Sequence, residues 1–165
     1  MTHDTPLPNA VELPAPPQPV GAYNAVVMRG AMGFVSGQFP LSGGVMVGIA
    51  GRVDGTTLEE FRSAASLAAL NVAAQILKAL GSWSRFGGLC RVDGIIAAPA
   101  DFTDHAAVLD GASETFVDLL GPILGAHARS AMSSLSLPGN ASVELVVSFA
   151  VRNDDSFDYI VDSPL

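Results

Sequence analysis

Arg129 and Glu144 carry opposite charges in segments where charge is otherwise rare. Arg129 lies in 128–135 and Glu144 in 143–151, and both segments otherwise hold apolar and small residues. A guanidinium is permanently charged and presents a planar fork that matches a carboxylate through two parallel hydrogen bonds. Burying it unpaired would be costly, so Arg129 must meet either a ligand or a structural acid. Glu144, 15 residues further on, is the first candidate for that acid. A carboxyl set among Val and Leu also has its pKa raised by desolvation, which brings proton exchange closer to neutrality. Two readings follow. Either the residues neutralise each other, or Arg129 binds an anion while Glu144 exchanges a proton. Glu144 could also accept backbone hydrogen bonds across subunits.

His127, two residues before Arg129, is a candidate acid or base near pH 6.5, provided that some partner orients it. Asp101, Asp104 and His105 resemble a metal-ligand group by type. The two aspartates are explained more simply as an acidic first helical turn beside the positive end of the helix dipole. No metal motif is present, and no metal or other cofactor is expected. Cys90 is the single cysteine, so an intrachain disulfide and a cysteine-rich zinc site are both excluded. A buried, inert thiol is the expectation for it. The chain has no phosphate-binding Gly-rich loop ahead of a Lys, no nucleophile elbow and no CxxC.

The elements that must position these residues can be read in order. Residues 1–19 hold six prolines and predict an extended arm. Residues 26–30 and 33–37 predict a hairpin around Gly30-Ala31-Met32. Gly43-Gly44 predicts a further turn leading into a strand over 45–50, followed by a connection bracketed by Gly51 and Gly55. Thr56-Thr57-Leu58-Glu59-Glu60 predicts a helix start, with a hydroxyl cap and acids in the first turn; Gly81 predicts its end. The apolar residues of this helix are mostly Ala, which lets it lie close on a sheet. A strand over 89–98, a second helix over 101–120 and strands over 128–135 and 143–151 complete the order, with Pro138-Gly139-Asn140 as the turn between the last two. Residues 152–165 carry four aspartates and predict a solvated tail. Two helices can cover only one face of such a sheet, which leaves the other face to meet a partner.

Composition agrees with a partner. Hydrophobic residues make up 49% of the 165 residues and charged ones 15%, against about 25% charged in an average domain. The mean hydropathy is +0.41, high for a small domain that keeps much of its surface exposed. No uninterrupted apolar run of about 18 residues exists, and the Pro-rich start has neither the basic nor the apolar region of a signal peptide. The expectation is a cytoplasmic protein, not a membrane one, that associates with copies of itself. A net charge of −8 repels phosphate backbones and disfavours nucleic acid as a partner.

Three segments in register resemble the RidA/YjgF (Rid) superfamily, which also carries the names endoribonuclease L-PSP and chorismate-mutase-like. Val20-Gly21-Ala22-Tyr23-Asn24-Ala25-Val26 is similar to its opening segment. Phe34-Val35-Ser36-Gly37-Gln38-Phe39-Pro40 is similar to its Phe-Val-Ser-Gly-Gln-x-Pro strand. Ala128-Arg129-Ser130, Leu137-Pro138 and Val143-Glu144-Leu145 resemble its C-terminal signature. The likeness spans residues 20–151, between the arm and the tail. His127, Ala131, Val146, Gly51–Thr56 and Asp110–Ser113 depart from the common pattern and look like a divergent branch.

The resemblance implies a chorismate-mutase-like α+β fold with two helices on one face of a mixed sheet, and a homotrimer with a central barrel and clefts between subunits. It implies hydrolysis of reactive enamines and imines, 2-iminobutanoate or 2-iminopropanoate among them, to 2-oxo acids and ammonia. Arg129 would hold the substrate carboxylate and Glu144 would position or activate water. Tyr23, Ser36 and Gly37 would shape the pocket, although simple packing for Tyr23 and a turn or bulge requirement at Ser36-Gly37 explain the same residues. The alternative is a non-catalytic protein that binds a small carboxylic acid in the same cleft. An endoribonuclease has the least support, because the chain has no evident basic groove.

Overall fold

The computed structural model describes residues 11–47 and 57–152. Strands β1 (Val26–Arg29) and β2 (Met32–Gln38) form the expected antiparallel hairpin. Its turn is tighter than the sequence suggests, because Met32 already pairs with Arg29. β3 (Leu41–Ser42) and β4 (Val45–Met46) make a separate small ribbon around Gly43-Gly44, so the described start of the expected third strand pairs outside the main sheet. The rest of that strand and the connection after it lie outside the described residues, as do the start of the arm and the tail beyond Arg152.

Helix α1 (Leu58–Leu80) begins at Thr57, whose side chain accepts from the Glu60 amide while the Glu60 carboxylate accepts from the Thr57 amide. Donation from the Thr57 amide, and from the Thr57 hydroxyl, holds the Glu60 carboxyl below its ordinary pKa. Gly81, at φ 75°, ends the helix in the left-handed conformation that glycine adopts without penalty. Length and composition alone would let α1 cross a membrane, yet it is the core helix. Ala64, Ala65, Ala68, Ala69, Val72 and Ala73 are all buried. Small side chains let it approach both the sheet and helix α2 (His105–Leu124).

β5 (Phe86–Ala97), β6 (Ala128–Ser134) and β7 (Val143–Val151) complete a five-stranded sheet in the order β1-β2-β7-β5-β6. Only β5 and β6 run parallel, joined by the α2 crossover. Glu144 and Arg129 are therefore not on adjoining strands, because β5 lies between them. The β5–α2–β6 unit sets β6 on one side of β5, and β7 returns antiparallel on the other.

Every second residue of β7, from Val143 through Leu145, Val147 and Phe149 to Val151, is buried beneath the helices. Full burial of a side chain of this kind contributes about 1.5–3 kcal/mol. The opposite face has no covering element within the described residues, and Phe34, Met132 and Val146 are exposed there.

α2 starts later than the sequence predicts. Asp101 and Asp104 precede it, no acid lies in its first turn, and Asp104 makes no side-chain cap bond. Neither aspartate lies in the first turn: Asp104 is the N-cap residue, beside the positive end of the helix dipole, and Asp101 lies before the helix. Regular helix breaks at Gly121 (φ 82°, ψ 165°), a conformation open to glycine, next to Pro122, which has no amide hydrogen to donate. A further turn then continues to Leu124.

Residues 11–19 of the arm form neither helix nor strand and pack against the same chain. Leu13 packs on the core, and the buried Gln75 side chain donates to the Pro17 carbonyl at 2.6 Å. One turn earlier on α1, Asn71 donates to the Phe39 and Leu41 carbonyls at 2.8 and 2.9 Å. Backbone oxygens accept from the amide nitrogens of both side chains, which pins the arm and the segment after β2 to one helix, while the buried Asn71 Oδ1 has no partner among the described residues.

Candidate functional site

Arg129 points toward the helices. Its register partner is Val92, which is fully buried on the covered face. The guanidinium reaches α2, where Nη1 donates to the Asp110 carboxylate at 2.9 Å and to Ser113 Oγ at 3.0 Å. The structural acid beside Arg129 is thus Asp110 and not Glu144. Asp110 and Ser113 are one helical turn apart and share a face of α2. Among the described residues, Nε and Nη2 of Arg129 have no partner. The side chains of Arg129 and Asp110 keep 25% and 46% of their surface open, so the group sits at an accessible edge.

Asp110 is held from its other side by Arg62 of α1, at 3.9 Å. Arg62 also bonds Glu114 at 2.6 Å and the Ala107 carbonyl at 2.8 Å. Its pKa is raised, chiefly by the Glu114 bond. Gly111 makes this approach possible. A Cβ there would fall 2.3 Å from the Arg62 carbonyl oxygen, so the helices cross where the side chain is missing.

His127 completes the group. Its Nδ1 lies 2.7 Å from the Gly125 carbonyl and its Nε2 lies 3.0 Å from Ser113 Oγ, while its ring meets Phe116 edge-on. Burial lowers its pKa; the bond to Gly125 opposes that shift and the nearby Arg129 charge adds to it.

Glu144 lies on the open face, paired in register with Ile95. Its carboxylate rests over Gly37, where a Cβ would come within 1.8 Å of Oε1. Gly37 occupies the irregular stretch of the β2–β7 ladder between Val35 and Gln38. Desolvation raises the Glu144 pKa, and the carboxylate has no hydrogen-bond partner among the described residues. Ser36 Oγ donates to the Asn24 carbonyl at 2.7 Å, which ties the segment before β1 to β2. Tyr23 is exposed and lines a shallow pocket with Pro17, Val20, Gly37, Gln38 and Gln75.

The structure thus places the candidate residues in two separate groups. Glu144, Gly37, Ser36 and Tyr23 cluster about the start of the hairpin and the open sheet face. Arg129 stands apart at the β6 edge with Asp110, Ser113 and His127. The sequence reading gave Asp110 and Ser113 no role in a site, and their spacing of three on a helix was the available signal. Cys90 is half-buried at the irregularity of β5, with its thiol pKa raised by burial. His105 hydrogen-bonds Ser133. No group of three or more His, Cys, Asp or Glu side chains suited to a metal occurs among the described residues.

Residues 6–151 match the YjgF/chorismate mutase-like family, whose description also names an endoribonuclease. Protein TCP17 of Trypanosoma cruzi is 34% identical over 137 residues, 82% of this chain and 84% of its own length. Among solved structures, the protein Atu1372 from Agrobacterium tumefaciens, of unknown function, is similar with a TM-score of 0.74 at 33% identity, covering 78% of this chain and 82% of that one. TdcF of E. coli with bound serine shares the fold, with a TM-score of 0.62 at 23% identity over 88% of this chain and 99% of that one. By sequence and by fold alike, the chain belongs to the YjgF/chorismate mutase-like family.

Proposed function

We propose that this protein is a RidA-like imine and enamine hydrolase, and that it works as a homotrimer with its sites at the seams between copies. The observation that carries the reading is the Arg129 guanidinium. It is anchored through Nη1 alone, and its Nε–Nη2 edge is left without a partner among the described residues at an accessible sheet edge. That edge has the geometry of a bidentate carboxylate seat. The other half of the chemistry is Glu144, whose raised pKa suits a group that trades protons with water.

In this reading Arg129 of one copy holds the carboxylate of a 2-imino acid, and a neighbouring copy supplies Glu144. Glu144 orients a water onto the imine carbon. The C–O bond forms as the C=N π pair takes up a proton at nitrogen. The resulting carbinolamine loses its hydroxyl proton, expels ammonia and leaves the 2-oxo acid. An imine carbon is already electrophilic, so positioning supplies much of the rate. The exposed apolar residues of the open face, Phe34, Met132 and Val146, support a second copy covering it. The amino acid bound in TdcF supports a small carboxylate as the ligand class.

The test is the rate of 2-iminopropanoate hydrolysis above free solution, measured for the assembled protein and for Arg129→Ala and Glu144→Gln. The expected outcome is acceleration by the unsubstituted chain and its loss in both variants. A folded trimer that gives no acceleration overturns the enzyme reading. Calorimetric binding of a 2-oxo acid without turnover would instead select the carboxylate-binding alternative.

A further inference from the structure

His127, Ser113 and Arg129 form one hydrogen-bonded chain whose direction is set from both ends. An arginine can only donate, so Ser113 Oγ accepts from Nη1. The Gly125 carbonyl can only accept, so Nδ1 of His127 carries the ring proton. In the neutral ring Nε2 is then an acceptor, and the Ser113 hydroxyl donates to it. Ser113 and His127 each donate once and accept once, so the chain runs in one direction from Arg129 Nη1 through Ser113 and His127 to the Gly125 carbonyl. A second proton on His127 would reverse the Ser113 bond and bring a new positive charge toward Arg129.

The surroundings hold the imidazole still. Phe116 packs its ring against it, and the break at Gly121 turns the chain so that the Gly125 carbonyl lies within reach. Asp110 bonds the same Nη1 that Ser113 does, so both contacts from α2 fall on one side of the guanidinium.

We propose that Ser113 and His127 are positioning residues for Arg129, locking the guanidinium through Nη1 so that its Nε–Nη2 edge is presented to a carboxylate ligand. The identity of that ligand rests on the reading given under Proposed function; the locking does not. Ser113 acts directly on Arg129. His127 acts through Ser113, by accepting the hydroxyl's hydrogen bond so that an oxygen lone pair is directed at Nη1.

The test uses the assembled protein carrying Ser113→Ala or His127→Phe, with Ser113→Thr and His127→Gln as conservative partners that keep the hydroxyl and an acceptor near the Nε2 position. The first readout is the nitrogen-edited NMR signal of the Arg129 side chain, identified by its disappearance in Arg129→Lys. Resolved, slowly rotating Nη protons are expected in the unsubstituted chain, collapsed signals in Ser113→Ala and His127→Phe, and recovery in the conservative pair. The second readout is calorimetric binding of pyruvate, expected to weaken about tenfold in Ser113→Ala and His127→Phe, the loss of roughly one hydrogen bond to a charged group. Unchanged Arg129 signals in both disruptive variants would overturn the proposal, and so would undiminished pyruvate binding. If the unsubstituted protein binds no pyruvate while its Arg129 signals still respond, the carboxylate reading falls and the locking chain stands.

Discussion

Arg129 and Glu144 project from opposite faces of one sheet. Arg129 shares a register row with Val92, and Glu144 shares one with Ile95. Those β5 residues are three positions apart, an odd number, and strand side chains alternate. No rotamer change within a single copy brings the two groups onto one substrate. A site that uses both, as in the proposed function, would have to draw them from different copies.

Subunit mixing tests that consequence directly. Trimers assembled from equal amounts of Arg129→Ala and Glu144→Gln chains are expected to regain hydrolysis in about a quarter of their clefts, those that pair the intact arginine with the intact glutamate. The two parents, assayed alone, are expected to stay inactive. Measured activity that remains at the parental level after denaturation and co-refolding would place the two residues in separate roles.

Glu144 links pH to both stability and rate. Its carboxyl binds a proton more tightly in the folded chain than in the unfolded one, because burial raises its pKa above the ordinary 4.5. Stability contributed by the protonated form is therefore lost as pH rises from the ordinary carboxylate range through the raised folded value. Glu144→Gln is expected to melt higher than the parent above that window and to match it below. Thermal melts across the acid range give the comparison. Turnover that needs the ionised carboxylate is expected to climb with pH through the same window and to lose that limb in the glutamine variant.

Gly37→Ala is expected to separate function from folding. The added methyl collides with Glu144 Oε1, the mobile end of a side chain, and Gly37 does not need a positive φ. The carboxylate swings aside while the strand stays in place. Loss of a well-placed catalytic group of this kind is worth about 10²–10⁴ in rate, whereas the melting temperature is expected to move little. A parallel fall in both quantities would assign Gly37 to the backbone alone.

Gly111→Ala carries the opposite expectation. Here the methyl meets backbone, the Arg62 carbonyl, and neither helix can yield cheaply. Overpacking at such a crossing destabilises by about 1–3 kcal/mol. The shift also draws Asp110 away from Arg62. Denaturant unfolding reads the first effect, and weakened carboxylate binding reads the second.

Much of this fold is legible along the chain because its signals are local. The alternating β-branched run of 143–151 and the Thr57–Glu60 cap with Gly81 mark strand and helix limits through contacts between near neighbours. The short ribbon at Gly43-Gly44 and the late start of α2 escape such reading, since each depends on what packs beside it. The type and spacing of Arg129 and Glu144 announce a cation and an acid in segments otherwise poor in charge, while the roles of both and of Gly37 come from the family resemblance. Which side of the sheet each one occupies is a matter of register, and a slip of one residue would exchange the faces. The insertion of β5 between β6 and β7 and the helix crossing at Gly111 are long-range choices made by packing. They give Arg129 to Asp110, Ser113 and His127, and leave Glu144 on the face that the helices do not cover.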